Sequence, residues 1–189
     1  MELVEIHGGG LDKNPEYFLV FHRVVEGNIT LDKDWKGLRV PIIGKTGAWK
    51  MLYNLELINR SLYDFTVQVQ HNGWTTENVS AIYKQAAHTG LYITAFVKSL
   101  AEINTVVIDK YRAVLLNEID RVQPKRIIVF GGEASRYVFR RQEFRAFSKT
   151  TLMANRKSFT VYIVPYPVAR ARRLLASTIH FLRQLKGDH

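Results

Sequence analysis

The stretch that most constrains this chain is Pro124 to Ser135, Pro-Lys-Arg-Ile-Ile-Val-Phe-Gly-Gly-Glu-Ala-Ser. Ile127 to Phe130 is a short apolar run with the β-branched content of a strand buried on both faces, and it stops at two glycines that open into a helical pattern. The segment predicts a strand, a tight turn and a helix N-terminus in direct succession. Backbone N–H groups and the positive end of the helix dipole at such a junction suit an anion such as a DNA phosphate, which makes Gly131 and Gly132 candidate DNA-binding positions. The same pattern also fits two glycines that only turn the chain, as in many α/β proteins.

With 189 residues, 47% of them hydrophobic, the chain can bury one good core, and a single domain over 1–189 is expected. No apolar run approaches the roughly 18 residues of a membrane-spanning helix. Met1 to Asn14 carries acids and a Gly8-Gly9-Gly10 run where a signal peptide has a basic and then an apolar stretch, so a cytoplasmic protein is expected. The absence of cysteine removes disulfides, thiolate zinc sites, iron–sulfur clusters and cysteine nucleophiles together. The six histidines show no metal-ligand spacing, and metal chemistry is not expected.

A formal net charge of +10 points to a polyanionic partner, and the excess is uneven. Between Arg136 and Arg173 lie Arg140, Arg141, Arg145, Lys149, Arg156, Lys157, Arg170 and Arg172, against the single acid Glu143. The interleaved aromatics Tyr137, Phe139, Phe144 and Phe147 suit base stacking or core packing.

Taken in order, Tyr17 to Phe21 reads as a buried strand, followed by loop chemistry at Glu26-Gly27-Asn28 and a polar, irregular segment holding Asp32 and Asp34. Lys45-Thr46-Gly47 leads into a helix to about Asn59. Gly44-Lys45-Thr46 is not a phosphate-binding P-loop, because the first glycine of that pattern falls on Arg39. Ser61 to Trp74 fits a helix or a strand equally. Thr76 is placed as the cap of a helix to Ala87, Leu91 to Phe96 as a second inner strand, and Asn104 or Thr105 as the start of a long helix to about Val122. A helix from Glu133 to about Arg141 follows the central strand. Gln142 to Ser158 reads as a mobile DNA-facing insertion or a surface hairpin, Phe159 to Val164 as the last strand, and Val168 onward as a closing helix. Strands alternating with helices predict an α/β chain, a three-layer α/β/α sandwich around a mostly parallel central sheet.

Four segments in register resemble the uracil-DNA glycosylase superfamily. Leu91-Tyr92-Ile93-Thr94-Ala95-Phe96-Val97-Lys98 resembles its strand Y-I-T-N-x-V-K, and Asp109 to Arg121 followed by Pro124 to Ala134 resembles L-x-x-E-I … P-K-x-I-V-x-L-G-x-x-A. Pro165-Tyr166-Pro167-Val168-Ala169-Arg170 stands at its late H-P-S-P-x-R loop, and Pro41 to Gly47 is similar to P-F-V-G-x-x-G. The resemblance covers roughly Tyr17 to Leu185, to a divergent branch without iron–sulfur cysteines. It implies a cofactor-free enzyme that extrudes a nucleotide from DNA and cleaves its N-glycosidic bond. DNA is the implied partner, with no membrane, no obligate protein partner and a monomeric state.

The departures from the family pattern bear on substrate. Ala95 replaces the asparagine that reads uracil, Ile42 the phenylalanine that stacks on it, Tyr166 the late-loop histidine and Val168 its serine. Loss of the asparagine removes discrimination for uracil, since such sites reject wrong partners by leaving polar groups unpaired. The resemblance with these exchanges implies a base pocket of Ile42, Ala95 and Tyr166 suited to a larger, modified pyrimidine. Glu26 is the first choice for the water-handling group, with Asn28 positioning water or sugar and Asp34 a rival; each could equally be a solvated loop residue. Arg170, Arg172 and Arg173 are expected on the DNA backbone, with Lys45, Thr94, Lys98 and Ser135 as lesser candidates. A non-catalytic DNA-binding protein on the same fold, or a nucleoside hydrolase, stays open at this point.

Overall fold

The computed structural model describes residues 14–23, 25–26, 38–39, 48–72, 75–97, 103–140, 145–166 and 172–184, with the backbone alone at 23, 25, 26, 38, 39, 48, 72 and 172–175. Its centre is a five-stranded sheet in the order β4-β1-β5-β7-β6. These strands are β1 (Tyr17–Arg23), β4 (Leu91–Val97), β5 (Arg126–Phe130), β6 (Ser148–Ala154) and β7 (Lys157–Val164). β1, β4, β5 and β7 are parallel, and β6 is an antiparallel edge. A separate two-stranded pairing joins β2 (Val25–Glu26) to β3 (Leu38–Arg39).

The apolar runs make inner strands because helices cover both faces. Alternation sends Phe18 and Val20 to one side with Ile127, Val129, Tyr111, Leu115 and Val138, under α4 (Thr105–Val122) and α5 (Gly132–Phe139). Leu19 and Phe21 go to the other side. There they meet Met51 and Leu52 of α1 (Ala48–Asn54), Leu62 of α2 (Arg60–Asn72), Ile82 of α3 (Thr76–His88) and Leu182 of α6 (Arg172–Gln184). The α/β/α sandwich around a mostly parallel sheet is thereby present.

Several local expectations are revised. The first helix ends at Asn54 rather than near Asn59, because Glu56 turns left-handed at φ 55°. Asn59 instead caps α2, its Oδ1 accepting from Leu62 N at 2.8 Å. The segment that fitted helix or strand equally is helix, with Leu62, Thr66 and Val69 buried at helical spacing. Thr75, not Thr76, caps α3, accepting from Asn78 N at 3.1 Å. Of the two readings of Gln142 to Ser158, the hairpin is the one observed: β6 pairs with β7 through the two-residue turn Asn155-Arg156, both at positive φ, which is the turn that matches strand twist. No helix among the described residues is long and apolar enough to cross a membrane.

Register places the site. Phe21 stands opposite Ala95, Val20 opposite Val129, and Phe130 opposite Val164, so the parallel strands end at one edge. β1 leads to α1–α3 on one face while its neighbour β5 leads to α5 on the other. The gap between the ends of β1 and β5 is therefore a topological switch point, where open α/β sheets hold ligands.

Candidate active site

At the end of β5 the chain passes from Phe130 into Gly131, whose φ of 94° and ψ of 158° lie in a region essentially closed to residues with a β-carbon. Gly131 N donates to Val164 O at 2.8 Å, tying this turn to the end of β7, and Gly131 O accepts from Ser135 N at 3.1 Å, opening α5. The first N–H groups of α5 lack intrahelical acceptors by the geometry of any helix, and they rim the switch point.

A cleft of about 280 Å³ occupies that gap, near the lower end of small-molecule sites. One wall is aromatic: Phe21 and Phe130 stack with centroids 4.7 Å apart and planes at 6°, and Tyr166 meets Phe21 edge-on at 6.2 Å and 84°. The opposite wall is polar. His22 Nδ1 lies 3.1 Å from Glu133 Oε2, and because an ionised carboxylate only accepts, Nδ1–H is the donor. The His22 ring is held by Tyr137 at 5.5 Å, which in turn leans on Phe96 at 5.5 Å. Glu133 stays 59% exposed and lines the cleft with Gly131, Gly132 and Ala134. Its place in the first turn of α5 sets a negative charge at the positive end of the helix dipole. Phe21 and Phe130 are themselves 1% and 0% exposed, so the half-buried Tyr166, backed by their stack, is the ring that meets the cleft. The arrangement offers an apolar wall, backbone donors for an anion, and one oriented carboxylate that reaches water.

Of the residues singled out from sequence, Gly131, Gly132 and Tyr166 meet in this cleft. Ala95 is 4% exposed and stands beside Phe21 on the neighbouring strand, behind the aromatic wall. Thr94 and Ser135 lie elsewhere. The Thr94 hydroxyl donates to Glu118 Oε2 at 3.3 Å under α4, and Ser135 is buried on the far side of α5's first turn. Glu26 has its backbone paired with Leu38 just past the end of β1, and Arg172 and Arg173 begin α6. Asn28, Asp34, Ile42, Lys45, Lys98 and Arg170 lie outside the described residues. Phe21, His22, Phe130 and Glu133 were not anticipated as site residues. A histidine directly after the apolar run of β1, and an acid directly after two glycines, were the available signals.

Among the described residues no three His, Asp or Glu side chains gather as metal ligands do. A search of curated proteins returned no match. The model of the Uracil DNA glycosylase superfamily matches residues 48–186, from the first helix through the Gly131-Gly132 turn and Tyr166 to the end of α6. Over most of its length, then, and with its cleft at the carboxyl edge of the sheet, the chain belongs to the uracil-DNA glycosylase superfamily.

Proposed function

We propose that this protein is a DNA glycosylase that extrudes a nucleotide and hydrolyses its N-glycosidic bond, leaving an abasic site. The observation that carries the reading is the cleft between the ends of β1 and β5, with Tyr166 backed by the buried Phe21–Phe130 stack on one side and Glu133 on the other. An extruded base needs a π-face or apolar wall to replace the stack it leaves. In the reaction the C1′–N bond breaks with its electron pair on the base, water adds its oxygen to C1′, one water proton passes to a carboxylate, and that proton is then returned through solvent to the departing base, which leaves the carboxylate ionised. Glu26, Asn28 and Asp34 are proposed for water and sugar handling from their place after β1, and Glu133 joins them as the carboxylate that His22 orients. The Gly131-Gly132 turn, Arg170, Arg172 and Arg173 are proposed on the DNA backbone.

The proposed substrate is a bulky modified pyrimidine, for example the hydroxymethylated or glucosylated cytosine of phage DNA, rather than plain uracil, in a role of anti-phage defence. Ala95 in place of a hydrogen-bonding asparagine, with Ile42 and Tyr166 at the other exchanged positions, supports this choice. Incubation of the protein with DNA carrying each base, followed by cleavage at abasic sites, tests it. Abasic sites in modified DNA and none in uracil-containing DNA are expected. Intact modified DNA together with uracil release would reverse the substrate assignment.

A further inference from the structure

The two edges of the sheet differ. β4 is buried at every position except the half-buried Tyr92, whereas β6 exposes Lys149, Thr151 and Met153 in alternation, and no described strand pairs with its outer edge. Met153 is 56% exposed, which among the described large apolar side chains only Val106 exceeds. The hairpin fixes which backbone groups face outward. Ala154 and Lys157 flank the two-residue turn and so exchange hydrogen bonds with each other, and bonded pairs alternate from there along the ladder. Leu152, Thr150 and Ser148 therefore turn their N–H and C=O groups toward β7, while Met153, Thr151 and Lys149 turn theirs away from it. Lysine is a usual guard of such an edge. Here the guard is drawn back, with Lys149 Nζ 5.7 Å from the ring centre of Tyr162, its cross-strand neighbour on β7. β6 has neither a proline nor a bulge to break a further pairing.

We propose that β6 is a self-association edge, where a second copy of this chain adds its own β6 in antiparallel and extends the sheet across a two-fold axis. Ser148 to Ala154 is centred on Thr151. With the axis at that residue, Thr151 faces Thr151 of the second copy and Lys149 faces its Met153, so outward donors meet outward acceptors along the strand. Threonine beside threonine, and methionine beside the aliphatic stem of a lysine, are favourable cross-strand neighbours, and no like charges stand directly opposite. An axis normal to the sheet points the carboxyl edges of the two copies in opposite directions, which leaves both clefts open. A seven-residue edge is a small interface and two chains of formal charge +10 repel, so pairing is expected at micromolar concentrations and above, and to strengthen as salt screens the repulsion.

The test is sedimentation velocity of the full chain from about 5 to about 500 µM, in low salt and in about 0.5 M salt. A monomer–dimer equilibrium that salt shifts toward dimer is expected. Thr151→Pro removes an N–H that faces away from β7, so the variant is expected to fold, as read by circular dichroism, and to stay monomeric. Met153→Lys sets a cation against Lys149 of the second copy and is expected to weaken the dimer about tenfold, whereas Val106→Lys on α4 is expected to leave it unchanged. The chain has no cysteine, so Thr151→Cys adds a single thiol, which is expected to cross-link two copies under mild oxidation while Lys84→Cys on α3 does not. Wild-type protein that is monomeric throughout, or a dimer that both Thr151→Pro and Met153→Lys retain, overturns the proposal. Excision assayed at nanomolar protein is expected to be equal in all these chains, so neither result bears on the glycosylase reading.

Discussion

Gly131 lies so close to Tyr166 that a β-carbon on the glycine would stand 3.3 Å from the tyrosine Cβ. The end of β5 and the second residue after β7 are thus packed backbone to side chain, and the φ of 94° at Gly131 closes the position to other residues a second time. Gly131→Ala is expected to cost about 1–3 kcal/mol from backbone strain, and to push Tyr166 off the edge of Phe21. Urea unfolding reads the first effect. Excision rate measured on the folded fraction reads the second, and wild-type values in both would show that this contact has no role in shaping the cleft.

Glu133 and His22 form a pair whose members have different tasks. The carboxylate faces the cleft and the imidazole holds it at 3.1 Å, so Glu133 is the candidate catalytic residue and His22 a positioning residue. Glu133→Gln is expected to lower kcat by about 10²-fold or more, the range of general base catalysis, with DNA affinity unchanged. His22→Asn is expected to lower kcat less while leaving KM in place, and the double variant to be no slower than Glu133→Gln, because the two act as a unit. Parallel measurement of Glu26→Gln and Asp34→Asn ranks the carboxylates. If either of those abolishes turnover while Glu133→Gln is as active as wild type, the role of Glu133 is refuted.

The parts that were legible in sequence are those set by local chemistry. Ile127 to Phe130 is apolar at every position because both faces of β5 are covered, and Gly131 is glycine because its φ allows little else. The parts that were not legible depend on neighbours distant in sequence. β6 alternates exposed and half-buried polar residues as an edge strand with Lys149, and its Asn155-Arg156 turn lacks the glycine that usually marks such a hairpin. In α2, Tyr63, Phe65, Val67 and Val69 alternate as a strand would, and only the burial of Leu62, Thr66 and Val69 reveals the helical face. His22 and Glu133 become neighbours through the parallel register of β1 with β5, which no short motif encodes.

Ala95 supplies a test of how the aromatic wall is backed. It is 4% exposed and directly opposite Phe21 in the β1–β4 register. Ala95→Asn inserts a larger, polar side chain there, at an expected cost of about 1–3 kcal/mol from overpacking and an incompletely satisfied amide. A displaced Phe21 narrows the cleft, so excision of a bulky pyrimidine is expected to fall at least tenfold while Ala95→Ser stays within a few-fold of wild type. Equal excision by Ala95→Asn and wild type would mean that the room for a large base lies elsewhere.

The far end of the sheet offers a prediction about acid stability that is independent of the cleft. Glu16, just before β1, joins Lys125 at 2.9 Å and Arg126 at the start of β5, and so clips two parallel strands together where they begin. The hydrogen bond from Lys125, followed by the positive charges of Lys125 and Arg126, holds the Glu16 carboxyl below its ordinary value of 4.5 against the opposing effect of partial burial. A carboxyl whose pKa is lower folded than unfolded contributes stability above its unfolded pKa, and that contribution disappears as pH falls through the folded one. Glu16→Gln is therefore expected to lower unfolding free energy by about 1 kcal/mol at pH 7, with Arg126 only 12% exposed and deprived of its carboxylate. The gap between variant and wild type should close as pH drops below 4.5, because protonated Glu16 is then equivalent to the amide. Denaturant unfolding at pH 7 and pH 3 measures it, and a constant difference between the two would show that Glu16 acts by packing and not by charge.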